Sequence, residues 1–500
     1  MFDQESTPWH RSTAFLIAAS VMCIVALGAA YLFFKPGRNS DDHEAHYAAL
    51  EKHREEQRHQ ANAETPAATS STDQPAVTNA TDQAAAPNSS EQQPASSNDA
   101  TALSHAGEVT KATRNYWTDF RGPGRDGRYD ELMVKTNWPT GGLPLLWRQP
   151  VGGGYASFVI AEGRAFTIEQ RRRQEVVAAY DVETGRELWA HGWQAEFKES
   201  MGGDGPRATP TWSAGRLYAL GATGEFRCLE AKTGKVIWSR NILSDNRAGN
   251  LQWGMSAAPL IVDDKVIVLP GGALDNSVVA YNKLTGAPVW KALSDQASYT
   301  SPMLVTLAGR RQILVVTARR AVGLAPEDGS LLWETPWENQ AGINVSQPII
   351  VDQNRFFISA GYGKGAALVE VTGTGKSFTA RKVWEHNSMK NKFNSSVLHD
   401  SHIYGLDEGI LTCIDVGTGA RKWKGGRYGY GQVLLLASGH LLITTEDGEI
   451  VLVKATPEQH TELAKFSALE GRTWNNAAIA NGRLLVRNTT EMACYNLLAQ

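Results

Sequence analysis

The stretch Ala179-Tyr-Asp-Val-Glu-Thr-Gly-Arg-Glu-Leu-Trp189 constrains this chain more than any other, because it recurs. Further copies stand at 228–238, 280–290, 323–333 and 413–423, each running from a small residue through a glycine to a tryptophan at the same offsets. Self-similarity at intervals of roughly 40 to 50 residues means one supersecondary unit, reused, that buries its apolar face against the next unit. In each copy an apolar strand leads into Asp/Asn-x-x-Thr-Gly. There the Asx side chain can bond the backbone two residues on, and glycine supplies the positive φ that closes a hairpin. A second strand pair lies upstream, as in Ala208-Thr-Pro-Thr-Trp212 followed by Gly215-Arg-Leu-Tyr-Ala-Leu220. Four short antiparallel strands per unit, with no helix signal, are the blades of a β-propeller.

The tryptophan positions count the blades: Trp147, Trp189, Trp238, Trp290, Trp333, Trp384, Trp423 and, by substitution, Phe466. Each is expected to be a structural docking residue, a flat ring seated in a slot opened by the small residue and glycine of the neighbouring blade. Trp147 has no strands before it, and the stretch 472–498 supplies only three. The strand around Trp147 should therefore be the outer strand of the last blade, closing an eight-bladed ring with no open edge. The copies after Leu368 and Leu452 are degenerate, which keeps seven blades as the alternative count. Cys228, Cys413 and Cys494 occupy the small position in blades that are not neighbours, too far apart for a disulfide, and read as buried core residues.

Ahead of the repeats lie four segments. Residues 1–13 form a short tail, and 14–34 is an apolar run without a charge. At 1.5 Å per residue such a run spans the roughly 30 Å hydrocarbon core, which predicts one uncleaved transmembrane helix. Residues 35–112 begin as a charged stalk whose pattern suits a short helix and continue as an Ala/Ser/Thr/Gln/Asn/Pro linker too polar to order itself, a disordered tether for the propeller. Residues 113–142, with Asp119-Phe-Arg-Gly-Pro-Gly-Arg-Asp-Gly127, read as a strap or plug across the propeller, which itself occupies 143–500.

The formal net charge of −3 implies neither nucleic acid nor an acidic membrane surface as partner. The runs 171–173, 310–311 and 319–320 of arginine fall at blade turns and read as solvated faces. His43, His46, His53 and His59 are irregularly spaced along the stalk and favour a solvated segment over a metal site, while His399 and His402 read as turn residues lacking a third ligand. Asn387, Lys390, Asn394, Asn475 and Asn476 are candidates for polar contacts at the channel mouth.

The repeat resembles the tryptophan-docking motif of the quinoprotein dehydrogenases and of the outer-membrane assembly factor BamB, both eight-bladed propellers. The resemblance covers 143–500, and the opening Trp117-Thr-Asp-Phe-Arg-Gly-Pro-Gly-Arg-Asp-Gly127 is similar to the start of membrane-anchored PQQ-like repeat proteins of bacteria. It implies two readings. In the first the chain is a non-catalytic scaffold, fixed to the bacterial inner membrane by one helix with its propeller on the periplasmic side, that binds an envelope protein or polymer. In the alternative it is an alcohol or sugar dehydrogenase using PQQ with calcium. Those enzymes carry an adjacent Cys-Cys pair and Glu, Asn and Asp residues at the cofactor, and this sequence has no Cys-Cys and no such set that can be placed. The sequence therefore assigns no catalytic, cofactor-binding or metal-binding residue, and the scaffold reading leads.

Overall fold

The computed structural model describes residues 40–64, 116–375 and 377–498. The expected membrane helix, the tail and most of the low-complexity linker lie outside them. Eight sheets repeat one pattern, strands a to d from the channel outward. Blades 1 to 8 cover 159–194, 211–241, 260–292, 303–336, 349–386, 397–427, 432–467 and 478–496, the last completed by Leu145–Pro150 as strand d. Trp147 pairs with Cys494 across that junction, so the count of eight and the closure of the ring both hold. A short helix, α2 (Ile242–Asp245), is capped by Asn241. The longer helix ahead of the propeller is α1 (Ser40–Glu64).

The repeat explains its own turn. In blade 1, Asp181 Oδ1 accepts hydrogen bonds from the Glu183 and Thr184 amides at 3.1 and 2.9 Å and from the Thr184 hydroxyl at 2.8 Å. Gly185 then takes φ +71° and its N–H returns to the Asp181 carbonyl. Asn282 and Asp415 hold the same turn in blades 3 and 6. After the turn, strand d is bulged just before the tryptophan in every full copy.

The indoles reach the next blade. Trp147, Trp189, Trp238, Trp290, Trp384 and Trp423 donate Nε1–H to carbonyls there, those of Val182, Ala231, Lys283, Pro326, Val416 and Thr456, at 2.8–3.2 Å. The slot differs from the expected one. The glycine does come from the next blade, but the small residue sits opposite the tryptophan in its own blade, as Ala179 does for Trp189 and Cys228 for Trp238. The bulge turns the ring outward, and a larger residue opposite would fill the space behind it. Trp333 breaks the pattern, donating to Gln312 within its own blade, because blade 5 replaces the tight turn with a long hairpin of Gly365–Thr374 and Ser377–His386. Phe466 lies two residues beyond the tryptophan position, since Ala464 is what faces Leu452. It packs on Trp138 and Gly142, and that glycine ends the strap segment where other blades have their Thr-Gly turn. The three propeller cysteines are buried free thiols.

The strap crosses the face formed by the a–b and c–d turns. Its Trp117 and Thr118 carbonyls accept from the Ile160 and Trp212 amides, and Arg128–Tyr129 adds a short parallel strand to blade 7. From it Arg121 and Arg125 enter the channel, nearly fully buried. Arg121 donates to the carbonyls of Ser396 and Val433, and Arg125 to those of Ala258, Pro259 and Pro302 while pairing with Asp119 at 2.9 Å. Asp126, the one possible cation ligand there, accepts from the Arg128 amide.

A direct check on the indole slot is to compare two positive-φ glycines. At Gly163 (φ +70°) nothing lies within 4 Å of an added Cβ, whereas at Gly234 (φ +74°) the Trp189 ring lies 2.5 Å away. Gly163→Ala should cost only the left-handed backbone strain of about 1 kcal/mol, and Gly234→Ala a further 1–3 kcal/mol of overpacking, roughly. Urea unfolding midpoints of the two variants measure the difference.

Candidate functional site

Each inner strand is entered by a loop on the face opposite the strap, and the loops share a pattern. Pro210, Pro259, Pro302 and Pro348 open four of the strands; Phe158, Ser396, Val433 and Ala477 stand in that place in the others. The residue just before the opener ties blade to blade. The Ser157 amide donates to Thr209 Oγ1, the Ala258 amide to Ser301 Oγ and the Gln347 amide to Ser395 Oγ, at 2.9–3.0 Å. Gln432 and Asn475 extend the belt, reaching the Trp474 carbonyl at 2.9 Å and the Ala156 carbonyl at 3.0 Å. Short polar side chains suit this place because the inner strands converge there and each chain must satisfy a neighbour's backbone amide.

Three residues before that place, six of the eight blades carry a half-buried aromatic or arginine, Tyr155, Arg207, Tyr299, Phe393, Tyr430 and Trp474, while blades 3 and 5 have Ser256 and Val345. The six form a ring of aromatic and cationic groups around the mouth. Tyr155 and Trp474 have centroids 5.4 Å apart, and Phe393 packs on Trp474 at 4.7 Å and on Tyr430 at 4.9 Å. Trp253 leans on Tyr299 at 5.7 Å. Cations cap the rings: Arg207 over Tyr155 and Phe197, Lys392 over Tyr430 at 4.8 Å, and Arg472 over Trp474 at 4.7 Å. Burial pulls the Arg207 guanidinium down and pushes the Tyr155 phenol up, so the ring is a partly desolvated surface. Glu446 steadies it, accepting from Trp474 Nε1 and the Tyr430 amide. Met201 and Leu274, both well exposed, lie on loops of the same face. Just inside the mouth, Thr300 Oγ1, Gln347 Oε1, Asn475 Oδ1 and both side-chain polar atoms of Asn394 are buried with no hydrogen-bond partner among the described residues.

The residues singled out from sequence divide. Asn394 and Asn475 are in this belt, and Asn476 accepts from Arg121 inside the channel at 3.2 Å. Lys390 stands at the edge of the mouth, beside Asp407 at 3.7 Å and Glu408 at 3.3 Å. Asn387 is exposed at the end of blade 5. His399 and His402 sit in an a–b turn on the strap face, around Asp400. His46 and His53 are not solvated: they bond the Val151 carbonyl and Gln149 of the propeller. Of the run 171–173 only Arg173 is solvated, since Arg171 binds Glu169 and Glu187 and Arg172 binds α1. The aromatic ring escaped the sequence reading because the copies were aligned on their tryptophans. The strand-opening prolines do not reveal it either, since Arg207, Ser256, Tyr299 and Val345 stand three positions before them and only one of these is aromatic.

Over residues 172–425 the sequence matches the family model described as outer membrane protein assembly factor BamB. The chain belongs to that family. BamB of Burkholderia pseudomallei is 22% identical over 341 residues, which cover 65% of this chain and 79% of that protein. The solved structure of BamB from Moraxella catarrhalis superposes with a TM-score of 0.51 at 15% identity, covering 71% of this chain and 99% of that one, which shows the shared fold. The quinohemoprotein alcohol dehydrogenase ADH-IIG of Pseudomonas putida is 27% identical over 173 residues, 33% of this chain and 23% of the enzyme. The match thus spans about a quarter of that relative's length.

A quinone–calcium pair would need carboxylate and amide oxygens converging on one point. This BamB-family chain has no group of three or more His, Cys, Asp or Glu side chains so placed among its described residues. The acids nearest the mouth have other partners, Glu199 on the Met201 and Gly202 amides and Glu446 on Trp474.

One buried acid beneath this face has a titration that can be read. Burial between blades 1 and 2 pushes the Glu175 carboxyl up to about 7, against the opposing hydrogen bonds from the Ala222 amide and Trp193 Nε1. A carboxylic acid with a raised folded-state pKa binds more protons folded than unfolded between its ordinary range and 7. Stability therefore falls as pH rises through that window, by up to about 3 kcal/mol. Glu175→Gln removes the charge but, with one amide oxygen, can accept only one of the two hydrogen bonds, so its melting temperature relative to the wild type should be higher at pH 8 than at pH 4.5; paired thermal scans measure this.

Proposed function

We propose that this BamB-family propeller is a non-catalytic, membrane-anchored scaffold of the bacterial cell envelope that holds a protein partner on its mouth face. The observation that carries the reading is the mouth ring itself. Tyr, Trp and Arg are the side chains that dominate protein–protein hot spots, because they bury large rigid areas at small entropic cost. Here Tyr155, Trp474, Phe393 and Tyr430 are half-buried together, with Arg207 and Arg472 on their faces. Two relatives named outer membrane protein assembly factor support an envelope setting. The apolar run 14–34 is read as a single-pass inner-membrane anchor with the propeller on the periplasmic side; among the described residues no helix is long and apolar enough to cross a membrane.

The second reading, a PQQ- and calcium-dependent alcohol or sugar dehydrogenase, is favoured by the partial likeness to the quinohemoprotein enzymes. Calorimetric titration of the full chain with PQQ and calcium, with dye-linked alcohol oxidation, decides between them. Tight binding with turnover overturns the scaffold reading. For the scaffold itself, a photo-crosslinking residue at Phe393 should give a discrete protein adduct in cells, and one at Leu284, exposed on the strap face, should not. Trp474→Ala with Lys392→Glu should reduce the adduct at least tenfold. Equal adducts from both faces would remove the mouth as the binding site.

A further inference from the structure

Helix α1 is polar over most of its surface, yet one line of it is buried: Tyr47, Leu50 and Arg54, spaced as one helical face, with Gln57 continuing the line half-buried. That face lies in a groove between the outer strand of blade 8 and blade 1. Tyr47 rests against Gly153, where an added Cβ would come 3.3 Å from its hydroxyl. Arg54 donates to the Pro150 carbonyl at 2.7 Å, lies over the Tyr180 ring at 5.0 Å and pairs with Glu187 at 3.4 Å. Gln57 bonds Gln149 at 3.1 Å and the Glu187 amide at 3.4 Å. Outside the groove, Arg172 pairs with both Glu44 and Glu51, at 2.9 and 3.2 Å.

These contacts fix the direction of α1. Glu44, His46 and Tyr47 meet the b–c turn and the loop of blade 1, which belong to the mouth face, while Gln57 meets Gln149 and the start of strand d, nearer the strap face. The beginning of α1 therefore lies beside Tyr155 and Arg207. Only Lys35–Asn39 separate it from the apolar run ending at Phe34, a gap of at most about 18 Å even when extended.

We propose that this groove is a helix-docking site whose occupant is the chain's own α1, and that α1 works as a releasable latch on the mouth face. Docked, it holds the mouth within that short span of the segment before it, closer than a folded domain of about 34 Å diameter can enter. Released, everything from Lys35 to the strap becomes tether, and a random chain of about 80 residues reaches roughly 50 Å. Inside the groove the latch buries Tyr47, Leu50 and the Arg54 guanidinium; outside it depends on exposed ion pairs such as Arg172 with Glu44 and Glu51, which salt screens, so that half of the contact is the one that loosens first. The membrane part of the proposal rests on reading residues 14–34 as an anchor; the docking part does not.

The test uses the full chain in lipid nanodiscs. Hydrogen exchange of amides 47–57 should be at least tenfold slower in the wild type than in Leu50→Asp, and the pair Glu44→Lys with Glu51→Lys should act in the same direction. Strand c of blade 1 should keep its protection in both, which shows the propeller intact. Free exchange of α1 in the wild type, or protection retained in Leu50→Asp, overturns the latch. In parallel, a fluorophore at Lys392→Cys should transfer energy to a lipid-borne acceptor at least twofold more efficiently with wild-type α1 than with Leu50→Asp. Transfer that is unchanged while α1 exchange rises overturns the control of membrane distance and leaves docking in the groove established.

Discussion

The contact on which the rest depends is an indole on a neighbour's glycine. Six tryptophans leave strand d through a bulge, donate to a carbonyl of the next blade and lie over its turn. Without a Cβ at Gly185, Gly234, Gly286, Gly329 or Gly419 the ring can approach the turn; with one it would be 2.9 Å away or less. The same turn needs glycine for its positive φ, so one residue meets two independent demands. The blades thus keep the spacing and tilt that a ring of eight requires, and the chain's two ends can meet as strands of one sheet.

Once the ring is closed, its two faces become different materials. On one, the strap sends Arg121 and Arg125 into the channel, where carbonyls from several blades converge on them. Burial takes the Arg121 guanidinium down to about 10, so it stays charged, held by backbone dipoles and by Asp126. On the other face several copies contribute a hydroxyl or amide to a neighbour, and six of the eight place an aromatic or arginine side chain two residues before that position, at the mouth. The positions that build the blade are not those that line the mouth, so one fold can carry different functions.

The groove occupied by α1 is anchored in a buried charge cluster. Burial opposes ionisation of Glu169, yet Arg171, Arg487 and Arg54 together hold its carboxyl at about 2. Arg54 is the member that comes from outside the propeller. Arg171 also binds Glu187 and Tyr180, so the cluster retains a cation for its acids when α1 is away. That arrangement lets a helix add to the fold without the fold depending on it.

Much of this was legible in the sequence. Asp-x-x-Thr-Gly and the tryptophan four residues later encode a turn, a bulge and a wedge through local geometry, and the eight positions from Trp147 to Phe466 therefore counted the blades. The incomplete stretch 472–498 and the orphan strand at Trp147 implied the closure, because a propeller tolerates no open edge. What local pattern could not reach was any contact set by the ring's assembly. Tyr155 and Trp474 stand more than three hundred positions apart in sequence and touch only because blades 1 and 8 are neighbours. Tyr47, Leu50 and Arg54 make too thin an apolar line to reveal burial, since their partners are a groove between two blades. Phe466 moved two residues because Gly142, supplied from the strap, fixed its slot. The sequence by itself determined the repeating unit, whose interactions lie within one hairpin. Only the tertiary structure decided the mouth, the plugged channel and the docked helix, because each is built from residues that closure alone brings together.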